Sequence, residues 1–249
     1  VSLRIRGGRR LQSPPGDIAR PTAARVRLAV INRLAPRLEG CRWLDLCCGS
    51  GAMACEALQQ GAALVVGVER DRRVAAVARA NLAAVAAAQG AAACGRVEAA
   101  EVVRWLVRGR PQEFDVIYVD PPYRAGLYAA IGAEVARRGW LHPGGTMVWE
   151  CASKEIPVIP SGWRLECLRN YGGSSVLYLE PDPPGQSPGN PVNSAAQGAA
   201  TAVLVPGGDE QAGQSDGNQA ENNAAEERFD HGSPGRLPGR VVDRPSILP

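Results

Sequence analysis

Along residues 1–180 the apolar positions switch repeatedly between two spacings. Residues 22–35, TAARVRLAVINRLA, place Val26, Val30, Ile31 and Leu34 three or four apart or adjacent, which is one face of a helix. Thr22, with Pro21 just before it, suits the cap of that helix. RWLDLC (42–47) is instead a short apolar run of the kind a buried strand needs. The alternation continues with a helix over 53–60 that stops at Gly61, a strand over 63–69 and an Ala-rich helix over 71–89. A strand over 96–99, a helix over 101–108, a strand over 114–120, a helix over 126–140 and a strand over 144–151 follow. His142-Pro143-Gly144 is expected in the turn before that last strand. WRLECLRNY (163–171) and SSVLYLE (174–180), joined by Gly172-Gly173, read as a terminal hairpin. Strands alternating with helices predict an α/β fold, a mainly parallel sheet of seven strands covered on both faces and closed by an antiparallel hairpin. Ligands then gather at the C-terminal ends of the strands, near the reversal in strand order.

The pattern is lost near residue 181. Residues 181–249 hold ten prolines and ten glycines, and Phe229 is their single aromatic residue. Such a segment buries too little apolar surface to offset its ordering entropy, so a disordered tail is expected, with one short apolar stretch at TAVLV (201–205). The expected organisation is a basic arm and leading helix (1–40), a catalytic domain (41–180) and the acidic tail (181–249). Elsewhere no apolar run approaches the length of about 18 residues that a transmembrane helix requires. VSLRIRGGRR lacks the apolar core of a secretory signal, so a cytoplasmic address is expected. Seven cysteines (41, 47, 48, 55, 94, 151, 167) form no CxxC pair, and histidine occurs at 142 and 231 alone. No metal site and no disulfide framework are therefore expected, and the thiols read as small buried hydrophobes.

Charge adds a partner class. The net charge of +3 conceals nine arginines against two acids in residues 1–40 and four arginines against nine acids in 181–249. The basic excess thus lies at the N-terminus, which suits a polyanion. Arg4, Arg6, Arg9, Arg10, Arg20, Arg25 and Arg27 read as a phosphate-binding arm, or as the solvated face of an edge strand and a helix.

The chemistry sits at strand ends. The first strand runs into Asp45-Leu46-Cys47-Cys48-Gly49-Ser50-Gly51-Ala52-Met53-Ala54, where Gly49 and Gly51 permit a tight turn and close approach of a ligand. Glu69 ends the next strand and is placed to accept hydrogen bonds from a ribose diol. A dinucleotide and S-adenosylmethionine both fit to this point. Three details favour the second: Ala54 stands at the third glycine position, Asp45 precedes the glycines by four, and the first strand follows a leading helix. Asp45-x-x-x-Gly-x-Gly resembles motif I of class I methyltransferases, which implies that Asp45 lies near the methionine amino group. Glu101 follows the third strand, either facing the adenine as in that class or serving as the acid at its helix N-terminus. Glu98 is a weaker candidate for the adenine role.

Asp120-Pro121-Pro122-Tyr123 closes the fourth strand, because consecutive prolines neither continue a ladder nor enter a helix. It resembles the (D/N)PPY motif of methyltransferases that act on planar nitrogens. An aromatic amine is a poor nucleophile, its lone pair being delocalised into the ring. An acceptor at Asp120, with the Pro121 carbonyl, holds both amine hydrogens and aims the lone pair, while Tyr123 stacks on the base. Asp120 is also the late proton acceptor in this reading. A base inside a duplex must first be flipped out.

With these motifs in order, residues 3–180 resemble the bacterial 16S rRNA guanine-N2 methyltransferases of the RsmD type. Gly7-Gly8-Arg9-Arg10-Leu11, Arg20-Pro21-Thr22-x-x-Arg25-Val26-Arg27, LDLCCGSGAMACEALQQGA (44–62), VERD (68–71), DPPY (120–123) and Tyr171-Gly172-Gly173 carry the resemblance. It implies a Rossmann-like class I methyltransferase fold, S-adenosylmethionine as donor, and one guanine of 16S rRNA, guanine 966, as target, free or in a 30S assembly particle. It also implies that Asp45, Gly49, Gly51 and Glu69 bind cofactor, with Cys47, Ser50, Arg70 and Glu101 beside them, and that Arg20 and Thr22 line the active-site mouth. A monomer, away from membranes, is expected. Cys47-Cys48 stands where the family more usually has Phe-Ala, Met53-Ala54-Cys55 replaces a Leu-Gly-like step, and the acidic tail is outside the family pattern. Trp105, Tyr118 and Trp149 are expected in the core, Glu150 in a structural role, and His142 outside the chemistry. The competing readings are an adenine-N6 methyltransferase of DNA or RNA, a methyltransferase of a protein glutamine amide, and a non-catalytic RNA-binding assembly factor.

Overall fold

A computed structural model describes residues 3–14, 24–90, 94–111, 113–122 and 125–182. Arg20, Thr22, Tyr123 and nearly all of the expected tail lie outside the described residues. The elements are α1 (Ala24–Leu34), β1 (Arg42–Leu46), α2 (Ala52–Gln59), β2 (Leu64–Glu69), α3 (Arg72–Gln89), β3 (Cys94–Ala99), α4 (Val102–Arg108), β4 (Phe114–Val119), α5 (Leu127–Arg138), β5 (Leu141–Ala152), β6 (Trp163–Tyr171) and β7 (Ser174–Pro181). The seven strands form one sheet in the order β3-β2-β1-β4-β5-β7-β6. The pairs among β1 to β5 are parallel, and β7 runs antiparallel to both β5 and β6. The chain enters at β1, steps outward to β3, then returns to the other side of β1 as β4. The order therefore reverses between β1 and β4, and in sheets of this type the crevice that takes a ligand lies beyond the strand ends at that reversal.

Period-two alternation divides the core. Trp43, Val65, Val97, Val116, Tyr118, Val148 and Tyr178 pack beneath α1, α2 and α3. Leu44, Val66, Ile117, Met147, Trp149 and Leu177 pack on the opposite face with α4 and α5. Trp105 is half-buried, its ring stacked 4.7 Å from that of Trp140, so the three aromatic residues assigned to the core join it. Among the described residues no helix is long and apolar enough to cross a membrane.

Three expectations require correction. His142-Pro143-Gly144 lies within the span of β5 rather than in a turn before it. The β4–β5 register jumps from Phe114–Leu141 to Val116–Thr146, so these residues form a bulge, where a proline deprives the ladder of no donor. Cys41, Cys55 and Cys151 are buried and their thiols are pushed up to about 12, chiefly by burial, but Cys94 on the edge strand β3 is exposed.

Arg27 is the third correction, since it is no surface contact for RNA. It is 3% exposed, and its Nε lies 2.9 Å from Oε1 of the fully buried Glu56. The same guanidinium donates to the Arg4 carbonyl, and both Glu56 oxygens accept from the Arg6 N–H at 3.2 Å. The ion pair thus pins the N-terminal arm onto α1 and α2. In that arm Arg4 and Arg10 pair antiparallel about a turn at Gly7 and Gly8, which adopt φ of 75° and 79°. Leu3, Ile5 and Leu11 of the arm join the core under α1–α3.

Removing one partner of a buried pair leaves an uncompensated charge. Glu56→Ala is therefore expected to lower the unfolding free energy by about 3–5 kcal/mol, and the apolar double replacement Arg27→Met/Glu56→Leu by less, as read from urea denaturation.

Candidate active site

Past Leu46 the chain turns through residues 47–51 into α2. The Cys48 N–H donates to the Val68 carbonyl at 2.9 Å, which holds this loop against the end of β2. Glu69 completes the attachment: Oε2 accepts from the Gly49 N–H at 3.1 Å and Oε1 from the Asp71 N–H at 2.9 Å. Each carboxylate oxygen keeps a lone pair for a further donor. Gly51 has φ 77°, and a Cβ there would lie 3.2 Å from that of Ala78, so α3 packs tightly behind the loop. A Cβ on Gly49 would meet nothing within 4 Å, which leaves open space on the ligand side. Cys47 takes φ 62°, the one non-glycine residue with positive φ among those described.

Asp45 stands opposite Tyr118 in the β1–β4 register. Its Oδ2 accepts from the Ala54 N–H at 3.0 Å, which ties the strand to the first turn of α2. Burial raises the Asp45 carboxyl well above the usual aspartate range, the charges of Asp120 and Glu69 raise it further, and the Ala54 bond opposes them. Asp120 directly follows β4, and its N–H reaches the Leu46 carbonyl at 3.4 Å. The glycine loop and the diproline corner therefore meet at the ends of adjacent strands. Pro121 is buried and Pro122 exposed, and the Ala125 N–H closes a turn onto the Pro122 carbonyl at 2.8 Å.

Cys47 marks the centre of this corner. Burial raises its thiol first, and the carboxylates of Glu69, Asp45, Asp120 and Glu101 add to the shift. Acids at or next to the ends of β1, β2, β3 and β4 thus act on this one thiol. Glu101 caps α4, its two oxygens accepting from the Val103 and Arg104 N–H groups at 2.9 and 2.8 Å. Glu98 instead pairs with Arg96 at 3.6 Å, and Arg70 is exposed beside Glu69. Behind the corner, the buried Tyr118 hydroxyl donates to the Glu150 carboxylate and the Tyr128 hydroxyl to the Glu150 carbonyl, a structural arrangement.

Among the described arginines of the arm, Arg6 and Arg9 lie away from the corner. Arg6 and Arg9 flank the Gly7–Gly8 turn over a shallow cavity of about 450 Å³ whose wall includes Gln59 and Gln89, the last residues of α2 and α3. Both helices begin at the corner, so this turn lies at their far end. Arg9 donates to the Ala84 carbonyl at 3.4 Å and Arg6 to Asn32 at 3.2 Å, while Arg25 donates to the Tyr171 carbonyl at the β6–β7 turn. Sequence reasoning missed Asn81, a buried amide of α3 that bonds the Ser50 carbonyl at 2.9 Å. An asparagine in line with Ala78, Leu82 and Val85 on an apolar helical face was the available signal.

Because the folded-state value of Asp45 is raised, the folded protein holds a proton that the unfolded chain has released. That stability is present below the ordinary aspartate value and lost as pH rises through the raised one. Asp45→Asn retains an acceptor for Ala54 and is expected to flatten this part of the profile, raising the melting temperature at neutral pH relative to the parent. Thermal melts across a pH series read the difference.

Comparison with known proteins accords with this geometry. The model of the family described as "Conserved hypothetical protein 95" matches residues 3–180. Ribosomal RNA small subunit methyltransferase D of Escherichia coli K12 is 31% identical over 182 residues, covering 72% of this chain and 88% of that protein. The solved structure of Escherichia coli yhhF is 30% identical with a TM-score of 0.62, covering 73% of this chain and 99% of its own. The rRNA methyltransferase aviRa of Streptomyces viridochromogenes, 18% identical over 68% of this chain and 88% of its own, has a TM-score of 0.52 and shares the fold alone. A Rossmann-like sheet with both motifs on neighbouring strand ends, matched over residues 3–180, makes the chain a member of the RsmD-type methyltransferase family.

Proposed function

We propose that the protein transfers a methyl group from S-adenosylmethionine to the exocyclic N2 of a guanine in 16S rRNA, guanine 966 by family resemblance, with the free rRNA or a 30S assembly particle as substrate. The observation that carries this reading is the adjacency of the glycine loop and Asp120-Pro121-Pro122 at the ends of β1 and β4. The corner also fits the donor: four carboxylates converge on Cys47, which suits a cationic ligand, and the space beside Gly49 is open. Asp45, Cys47, Gly49, Ser50, Gly51, Glu69, Arg70 and Glu101 would hold it, Glu69 through its remaining lone pairs to a ribose diol. Bound S-adenosylmethionine supplies an electrophilic methyl group on a sulfonium.

The chain's own residues do the rest. Asp120 and the Pro121 carbonyl accept the amine hydrogens, which draws the nitrogen towards tetrahedral geometry and directs its lone pair. Tyr123 stacks on the base. As the N–C bond forms and the methyl–sulfur bond of the donor breaks, its electron pair left on a thioether, the amine proton passes to Asp120 and then to solvent, for which Asp120 is partly exposed. Catalysis is then mainly positioning and electrostatics. Arg4, Arg6, Arg9, Arg10, Arg20 and Arg25, with Thr22, contact the RNA. The arm of residues 1–40, the catalytic domain of 41–180 and the acidic tail divide these tasks, and the substrate places the enzyme, as a monomer, in the cytoplasm.

Two measurements test the proposal. Methyl transfer from labelled S-adenosylmethionine to 30S particles lacking the modification, followed by nucleoside analysis, is expected to yield N2-methylguanosine. Asp120→Ala is expected to abolish it while donor uptake by calorimetry persists. N6-methyladenosine in its place would refute the choice of base. The affinity for rRNA is also expected to fall steeply with salt, by about 0.9 in log K per log salt for each phosphate contacted in a duplex. A flat response would remove the arginines from the interface.

A further inference from the structure

From its hydrogen bonds we infer that Asn81 is a positioning residue, fastening the RNA-contacting arm to the donor loop so that the two keep one fixed relation. The inference rests on the function proposed above. An asparagine amide has two N–H donors and one carbonyl acceptor. Here all are in use. Oδ1 accepts from the Gln12 N–H at 2.8 Å, and Nδ2 donates to the Gln12 carbonyl at 3.0 Å and to the Ser50 carbonyl at 2.9 Å. Asn81 is 2% exposed. Aspartate has no N–H to give, and an aliphatic residue would take its donor from the buried Ser50 carbonyl.

The location distinguishes this contact from the arm's other anchors. Glu56 and Gln59 hold the arm near Arg6, and Gln59 lies at the far end of α2. Asn81 holds it at the catalytic end, just before the chain continues towards Arg20 and Thr22. Ser50 lies between the two glycines of the donor loop, which Glu69 holds independently through Gly49. One side chain thus sets where the RNA segment starts relative to the donor loop. Transfer depends on the alignment of nucleophile and methyl group, and a misplacement of about 1 Å can cost about a hundredfold in rate.

The test uses the full chain. Asn81→Ala cuts the link from α3, and Gln12→Pro weakens it from the arm by deleting the N–H that Oδ1 accepts at an exposed residue, the bond from Nδ2 to the Gln12 carbonyl remaining. For each variant we would measure the melting temperature, the Kd of S-adenosylmethionine by calorimetry, kcat and KM on 30S particles lacking the modification, and the salt dependence of rRNA binding. Gln12→Pro is expected to keep the donor Kd within about threefold while kcat/KM falls by about tenfold to a hundredfold. Its salt slope is expected to become shallower by about 1 to 2, one or two phosphate contacts having been lost. Asn81→Ala should show the same losses, and if it fails to fold Gln12→Pro decides alone. Unchanged kcat/KM and salt slope in the folded variants would overturn the inference. So would losses confined to melting temperature and donor affinity, which mark a purely structural residue. Absence of methyl transfer by the parent protein would instead bring down the underlying function, a separable result.

Discussion

The arrangement of the site depends on one lateral contact, the parallel pairing of β1 with β4. These strands are far apart in sequence and touch because the chain fills one half of the sheet before returning to the centre. Helices cover both faces near β1, and the carbonyl ends of the strands open into a crevice. The Asp120 N–H bonded to the Leu46 carbonyl is the last link of that ladder, and beyond it the two segments diverge. Moving β4 elsewhere would leave each motif intact as a sequence and useless as a site.

The crevice carries an electrostatic load that packing does not require. Asp45 is buried, and the carboxylates of Asp120 and Glu69 both disfavour its ionisation. The Ala54 N–H, at the start of α2, offsets part of that cost at Asp45, and the Gly49 and Asp71 N–H groups serve Glu69 in the same way. The opposite treatment appears at Glu56, where a buried acid meets a buried arginine directly. A structural acid is neutralised by a cation within the fold, whereas Asp45 is held by a backbone donor with other acids nearby.

Most of the architecture was legible in the sequence. The periods of two and 3.6 placed every strand and helix of 42–180 within a few residues, and the glycine loop and DPPY marked the two strand ends that meet. The hidden parts were polar residues on apolar faces. Arg27 lies beside Val26, Val30 and Ile31 on α1, and its partner Glu56 lies among Cys55, Ala57 and Leu58 on α2. Read one helix at a time, each is a surface charge, and their pairing exists only once α1 and α2 are packed. Asn81 escaped notice similarly, since its partners Gln12 and Ser50 are backbone groups that carry no sequence signal. The bulge at His142–Gly145 was misjudged because proline and glycine announce a break without saying whether the strand resumes its ladder.

The Gly7–Gly8 turn stands at the opposite end of α3 from the crevice. The loop at Ser50 opens α2, whose 8 residues end at Gln59 beside the turn, so at a rise of about 1.5 Å per residue the two are about 12 Å apart along that helix. Along a duplex, at about 3.4 Å per step, this is roughly three to four base pairs. Under the function proposed above, the arm then works as a short ruler: an RNA that fills the crevice reaches the turn only if it extends that far beyond the reacting base.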